Sequence, residues 1–172
     1  RAGVVDGRAG FRAASSHQIV VPEHCLTAHP LVNEILTLGR YPGATEVAIK
    51  VGARTGEGMV VVTPSAAGAT VPDGVIVIGR DELAAGRTAS IGEVVGGRRL
   101  RVSAESFFQC RPDGADALVD AVAEFLADAP DGPMLDAYAG VGLFGASIVI
   151  ASGLFILKRE ARLARLRPPS AP

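Results

Sequence analysis

Met134-Leu-Asp-Ala-Tyr-Ala-Gly-Val-Gly-Leu-Phe-Gly145 is the stretch whose reading decides the fold. Met134 to Tyr138 is an apolar extended run that carries one carboxylate, Asp136, and one phenol, Tyr138. Ala139-Gly140-Val141-Gly142 follows with no bulky side chain at the turn. Glycine reaches positive φ at little cost and lets another molecule lie against the backbone. A helix starting there would aim its free N–H groups into the same space. A strand, a glycine turn and a helix start form the build of a nucleotide-type cofactor site at the edge of a parallel sheet.

Upstream, Ala115, Leu118, Val119, Val122 and Leu126 recur at helical spacing and predict an amphipathic helix, with Asp113 as its N-cap and Pro130 as its stop. Helix, strand and glycine turn in that order open an α/β sheet. Residues 1 to about 104 read differently. Gly10–Ala14 and His17–Val21 flank Ser15-Ser16 as hairpin arms. Pro30, Leu31, Ile35 and Leu38 predict a short helix that stops at Gly39. Glu46–Val51 and Gly58–Thr63 form a natural strand pair around Gly52–Glu57, and Gly74–Gly79 is a further strand. Gly92–Val95 and Arg99–Val102 are arms around the turn signal Gly96-Gly97. The expected fold class is α+β: a β-rich module of antiparallel hairpins with one short helix, then the beginning of a Rossmann-like α/β domain. The expected boundaries are 1–104, 105–157 and a basic, disordered tail at 158–172.

Hydrophobic residues make up 48% of the 172, so the chain can bury a core. A net charge of −1 gives no global argument for a nucleic-acid or membrane partner. Cys25 and Cys110 are too few for a disulfide framework, and a reduced cytoplasmic protein is expected. The chain starts at Arg1 with no signal-peptide pattern. Ala137 to Leu157 is 21 residues without a charge, followed by Lys158, Arg159, Arg162, Arg165 and Arg167. Length and basic flank meet a crude test for a membrane span. Four glycines and the strand character of Pro133–Asp136 argue against one.

Leu100–Gln109, a helix, and then Leu135–Phe144 together resemble the SAM-dependent RNA (uracil-C5) methyltransferases. The pairing of Phe107-Phe108-Gln109 with Leu135-Asp-x-Tyr-x-Gly-x-Gly142 carries the resemblance. Gly10-Phe-Arg12 and Val21-Pro-x-x-His-Cys25 are similar to that family's central β-rich domain. The resemblance covers residues 8–146, roughly four fifths of the chain. It implies methylation of uridine C5 in ribosomal or transfer RNA, with S-adenosyl-L-methionine (SAM) as the donor. Gln109, Tyr138 and the Gly140–Gly142 backbone would line the SAM methionine pocket, and Asp136 would brace the glycine turn. Glu160, about 20 residues past the turn, falls where a ribose-binding acid is expected.

Cys25 matches the fourth cysteine ligand of an iron–sulfur cluster, whose other three ligands only a longer parent could supply. The nucleophilic cysteine and the base of the family reaction lie beyond this chain's last match. No catalytic residue is therefore assigned, and the chain is expected to be inactive alone and truncated at both ends. It departs from the family at Leu143, at Cys110 and after Ala146.

Plainer roles compete for several residues. Cys25 suits a buried or free thiol, Cys110 a small core residue, and His24 and His29 a capping or surface role. Phe107 and Phe108 read as core. Asp113, Asp116, Asp120, Glu124 and Asp128 read as a solvated helix face, and Arg98, Arg99 and Arg101 as a hairpin surface or a phosphate contact. Two other functions stay open: a non-catalytic RNA- or nucleotide-binding fragment, and a membrane-anchored protein spanning at 137–157. A monomer is expected, and no protein partner is implied.

Overall fold

The computed structural model describes residues 1–109 and 111–127. Cys110, the 134–145 stretch, Glu160, the 137–157 run and the basic tail lie outside the described residues.

A six-stranded sheet forms the body. β1 (Ala2–Val5) and β2 (Arg8–Arg12) are joined by Asp6-Gly7, both at positive φ, with Val5 opposite Arg8. Such a two-residue loop twists with its strands. β3 (Ile19–Val20) pairs antiparallel with β2 and closes the hairpin expected around Ser15-Ser16. The helix α1 (Pro30–Leu38) follows, and its end is held by Gly39 N–H donating to the Ile35 carbonyl at 3.0 Å. β4 (Glu46–Val51) pairs with β1 on one side and with β5 (Gly58–Thr63) on the other. β6 (Val75–Gly79) lies beside β5, giving the order β3-β2-β1-β4-β5-β6.

Two expectations about this module need correction. β5 and β6 run parallel, so the sheet is mixed and not built of antiparallel hairpins alone. Residues 64–74 carry the chain back across the sheet, and a crossover of that length resembles a loop in sequence. A second helix, α2 (Arg80–Ala84), starts directly from β6. Its first turn is closed by the Glu82 carboxylate, which accepts from Gly79 N–H at 2.7 Å.

β5 explains where the core sits. Its residues alternate between faces, and both faces are covered. Val60 and Val62 pack with Ile35, Leu36, Tyr41 and Val47 under α1. Met59 and Val61 pack with Ile78, Ile91 and Val102 on the opposite side. Each fully buried side chain of this kind contributes about 1.5–3 kcal/mol. A strand buried on both sides reads as a continuous apolar run, as Met-Val-Val-Val does here.

The second face is covered by a separate two-stranded sheet, β7 (Ser90–Val95) and β8 (Arg98–Ser103). Gly96 and Gly97 make its turn at φ +56° and +72°, as the sequence suggests. The last element among the described residues, α3 (Pro112–Leu126), packs Ala115 and Val119 against Val95 and Leu100. Its N-cap is Arg111 and not Asp113, which falls inside the first turn and pairs with Arg111. Pro112 at the first helical position sets this start, because its missing N–H costs nothing there. No helix among the described residues is long and apolar enough to cross a membrane.

Candidate functional site

A cleft of about 300 Å3 opens between the start of α1, strand β4, the β7–β8 hairpin and the chain leaving β8. Thr27, Ala28, His29 and Val32 form one wall; Ile49, Lys50, Val51 and Ala53 form another. Ile91, Glu93 and Val102 come from the hairpin, and Phe108, Gln109 and Arg111 close the rim.

The α1 wall is shaped by one amide. Asn33 is only 8% exposed. Its Oδ1 accepts from Cys25 N–H at 2.8 Å, and its Nδ2 donates to the carbonyls of Cys25 (3.0 Å) and Ala28 (3.4 Å). A buried amide with all these bonds made holds residues 25–28 as a turn over the helix start. His29 caps α1 by accepting from Leu31 N–H through Nδ1 at 3.2 Å, which is the capping role the sequence suggests. The Cys25 thiol lies 3.6 Å from the Thr27 hydroxyl. That hydroxyl, then the Thr27 and Ala28 backbone N–H groups, hold the thiol below its ordinary pKa.

The hairpin wall depends on the β4–β5 turn, residues 52–57. Glu93 is 2% exposed, yet its carboxylate is well met. It accepts from the N–H groups of Ala53 (2.6 Å), Val94 (2.8 Å) and Arg54 (3.1 Å). Three converging donors offset the cost of burying the charge. Thr55 donates its hydroxyl to the Gly92 carbonyl at 2.7 Å, and Glu57 accepts from Gly92 N–H at 2.7 Å. The Gly92 N–H, and after it the Arg99 guanidinium, hold the Glu57 carboxyl below the usual carboxylate range. Gly52 permits this contact, because a Cβ there would sit 2.1 Å from the Gly92 carbonyl oxygen. Arg54 reaches further, to the Val94 carbonyl (2.8 Å) and Asp116 (2.6 Å), and Asp116 accepts from Gly96 N–H at 2.6 Å. Asp116 is therefore a link between α3, the turn and the hairpin, a correction to its reading as part of a solvated helix face.

After β8 the chain packs Phe108, half-buried, against two hydrophobic clusters that the hairpin contributes to and leaves Phe107 74% exposed. Of the two aromatics only Phe108 touches the core. Gln109 then falls at the cleft rim with Arg111.

Of the residues expected around a cofactor, Gln109 alone is described. Asp136, Tyr138, Gly140, Gly142 and Glu160 lie outside the described residues. Among the described residues no group of three or more His, Cys, Asp or Glu could hold a metal ion, so Cys25, His24 and His29 do not assemble as ligands. Lys50, Glu93 and Arg54 were not singled out by sequence reading. Glu93 had a signal, since it shares a strand face with Ile91 and Val95, where a lone carboxylate is out of place. Lys50 had none: Glu46, Ala48 and Lys50 read as an ordinary solvent face.

No family model matches the chain, and no solved structure matches it. Two curated relatives do. Over 153 residues it is 32% identical to a protein named an uncharacterized RNA methyltransferase in Streptomyces avermitilis, covering 83% of this chain and 35% of the relative. Over 154 residues it is 32% identical to another so named in Streptomyces coelicolor, covering 83% of this chain and 33% of the relative. The chain is thus a homologue of proteins named RNA methyltransferases and spans about a third of their length.

Proposed function

We propose that the chain is part of an enzyme that methylates structured RNA at uridine C5, with SAM as the methyl donor. The observation that carries this reading is the placement of Gln109. Phe108 packs half-buried against the core, and the next residue brings an amide to the rim of a cleft of about 300 Å3. An amide offers both donors and an acceptor, which suits the ammonium and carboxylate of a methionine moiety. Arg111 on the same rim favours the carboxylate, and the apolar wall of Val51, Ile91 and Val102 suits an uncharged portion. These residues fit one end of SAM.

When bound, SAM supplies an electrophilic methyl group on a sulfonium. Gln109 orients that donor, and the buried walls keep water from its apolar side. Asp136, Tyr138, Gly140, Gly142 and Glu160 complete the site on the strength of the family resemblance. The proposed division is a β-rich module over 1–104 and the opening of a SAM-binding domain over 105–157, followed by a tail at 158–172. The nucleophile and the base belong to family segments that this chain does not match. Cys25 contributes one ligand to an iron–sulfur cluster if a longer parent supplies the other three. The RNA is ribosomal or transfer RNA.

SAM titration calorimetry on the 172-residue chain tests the reading. Gln109→Ala is expected to weaken SAM by about ten- to a hundredfold, the worth of one hydrogen bond to a charged group. Equal affinity in the variant removes Gln109 from the SAM site. RNA binding with no SAM affinity at all favours a non-catalytic RNA-binding role instead.

A further inference from the structure

Lys50 is a cation on the cleft wall with a second attachment that the cofactor reading leaves unused. Its ammonium donates to the Ser103 carbonyl at 2.8 Å and to the Ser106 carbonyl at 2.6 Å. Those two carbonyls belong to a closed turn. Ser103 N–H donates to Ser106 Oγ at 2.9 Å, Ser106 N–H donates to Ser103 Oγ at 3.1 Å, and the two hydroxyls lie 2.6 Å apart. Here β8 ends and the Phe107–Gln109 segment begins.

Closing the turn with serine hydroxyls leaves two carbonyls aimed at one point. One lysine ammonium, with three N–H donors, can serve both. Its position has a cost. Burial pushes the Lys50 pKa down, Arg80 and Arg1 push the same way, and Glu105 opposes them. The carbonyl pair offsets that cost, so the side chain is held at this spot. It lies on β4, the strand paired along the buried β5, and so ties the exit of β8 to the centre of the sheet.

We propose that Lys50 is a positioning residue for the SAM contact at Gln109: it fixes the direction in which the chain leaves β8 and acts on the cofactor through Gln109. This rests on the reading of Gln109 as a SAM contact.

Two measurements on the full 172-residue chain separate the proposal from that reading. The first is amide hydrogen exchange. Lys50→Met, which removes both charge-assisted hydrogen bonds to the turn, is expected to speed exchange at Ser103 and Ser106 by about tenfold or more, with Val60–Val62 unchanged. Lys50→Arg, which keeps charge and several donors, is expected to restore slow exchange. Wild-type rates at both serines in Lys50→Met overturn the proposal. If the Val60–Val62 amides also lose protection, Lys50→Ala, which admits water to the carbonyls, is judged by the same criteria.

The second is a double-mutant cycle on SAM affinity. Lys50→Met is expected to weaken SAM by about tenfold, and K50M/Q109A to bind no more weakly than Q109A. Losses that multiply mean that Lys50 touches the cofactor itself, and they overturn the positioning role. Unchanged affinity in Q109A sinks the SAM reading alone. Hydrogen exchange then still decides whether Lys50 holds the turn.

Discussion

α1 and α3 present the same signal in sequence, apolar residues at helical spacing beside a polar face, and they are docked in different ways. α1 has nine residues; it buries Ile35 and Leu36 against the sheet and Asn33 under the 25–28 turn. α3 has fifteen and buries only Ala115. Leu118 and Phe125 on α3 are 41% and 84% exposed. α3 is held at its first turns by Ala115 packed on Val95 and Leu100 and by Asp116 bound to Arg54 and to the Gly96 N–H. Periodicity reports that a helix has an apolar face. It does not report whether that face meets a partner among the residues that surround it.

The difference can be broken at the apolar end first. Ile35→Ala removes a fully buried side chain and is expected to cost about 2–5 kcal/mol in denaturant unfolding. Leu118→Ala, the equivalent truncation on α3, is expected to stay within about 0.5 kcal/mol. A large loss at Leu118 would show that α3's outer face is packed, and would remove the contrast.

The polar anchorage comes next. Glu93→Ala leaves three inward N–H groups without their acceptor and frees the turn that carries Arg54. A loss of roughly 1–3 kcal/mol is expected in the same assay. Near-wild-type stability would mean that water entering from the cleft replaces the carboxylate.

The smallest effect concerns acid. The Arg54 guanidinium, and then the Gly96 N–H, hold the Asp116 carboxyl below its ordinary range. A carboxyl depressed on folding stabilises fully above its unfolded pKa, and that contribution disappears as pH falls through the folded value. Stability should therefore fall below about pH 4. Asp116→Asn should lose less than the wild type between pH 5 and pH 3, by thermal unfolding at each pH. Equal losses would show that Asp116 does not couple α3 to the turn in solution.

Much of the fold was legible because its signals are local. The β4–β5 hairpin appears with the boundaries read from alternation and turn residues, and Gly96-Gly97 forms the turn that needs positive φ. Pro30 and Gly39 bracket α1 as their backbone chemistry requires. β1 was missed because Ala-Gly-Val-Val is short and lacks alternation. α2 was missed because five residues are too few to show a period. The site was less legible. Gln109 was singled out by resemblance, and the structure places it on a cleft. The Glu93 anchorage, the Arg54–Asp116 link and the Lys50 bridge depend on partners 39 to 62 positions away in the chain.

By itself, the sequence determined the strands, turns and helix starts whose causes lie within a few neighbouring residues: steric freedom at glycine, the missing N–H of proline and the period of apolar side chains. Only the tertiary structure decided that β6 runs parallel to β5, that Phe108 packs half-buried against the core while Phe107 is exposed, and that Lys50 and Asp116 are tethers. These outcomes depend on which elements come to lie side by side, and a charged residue's role is set by the donors and acceptors that folding brings to it.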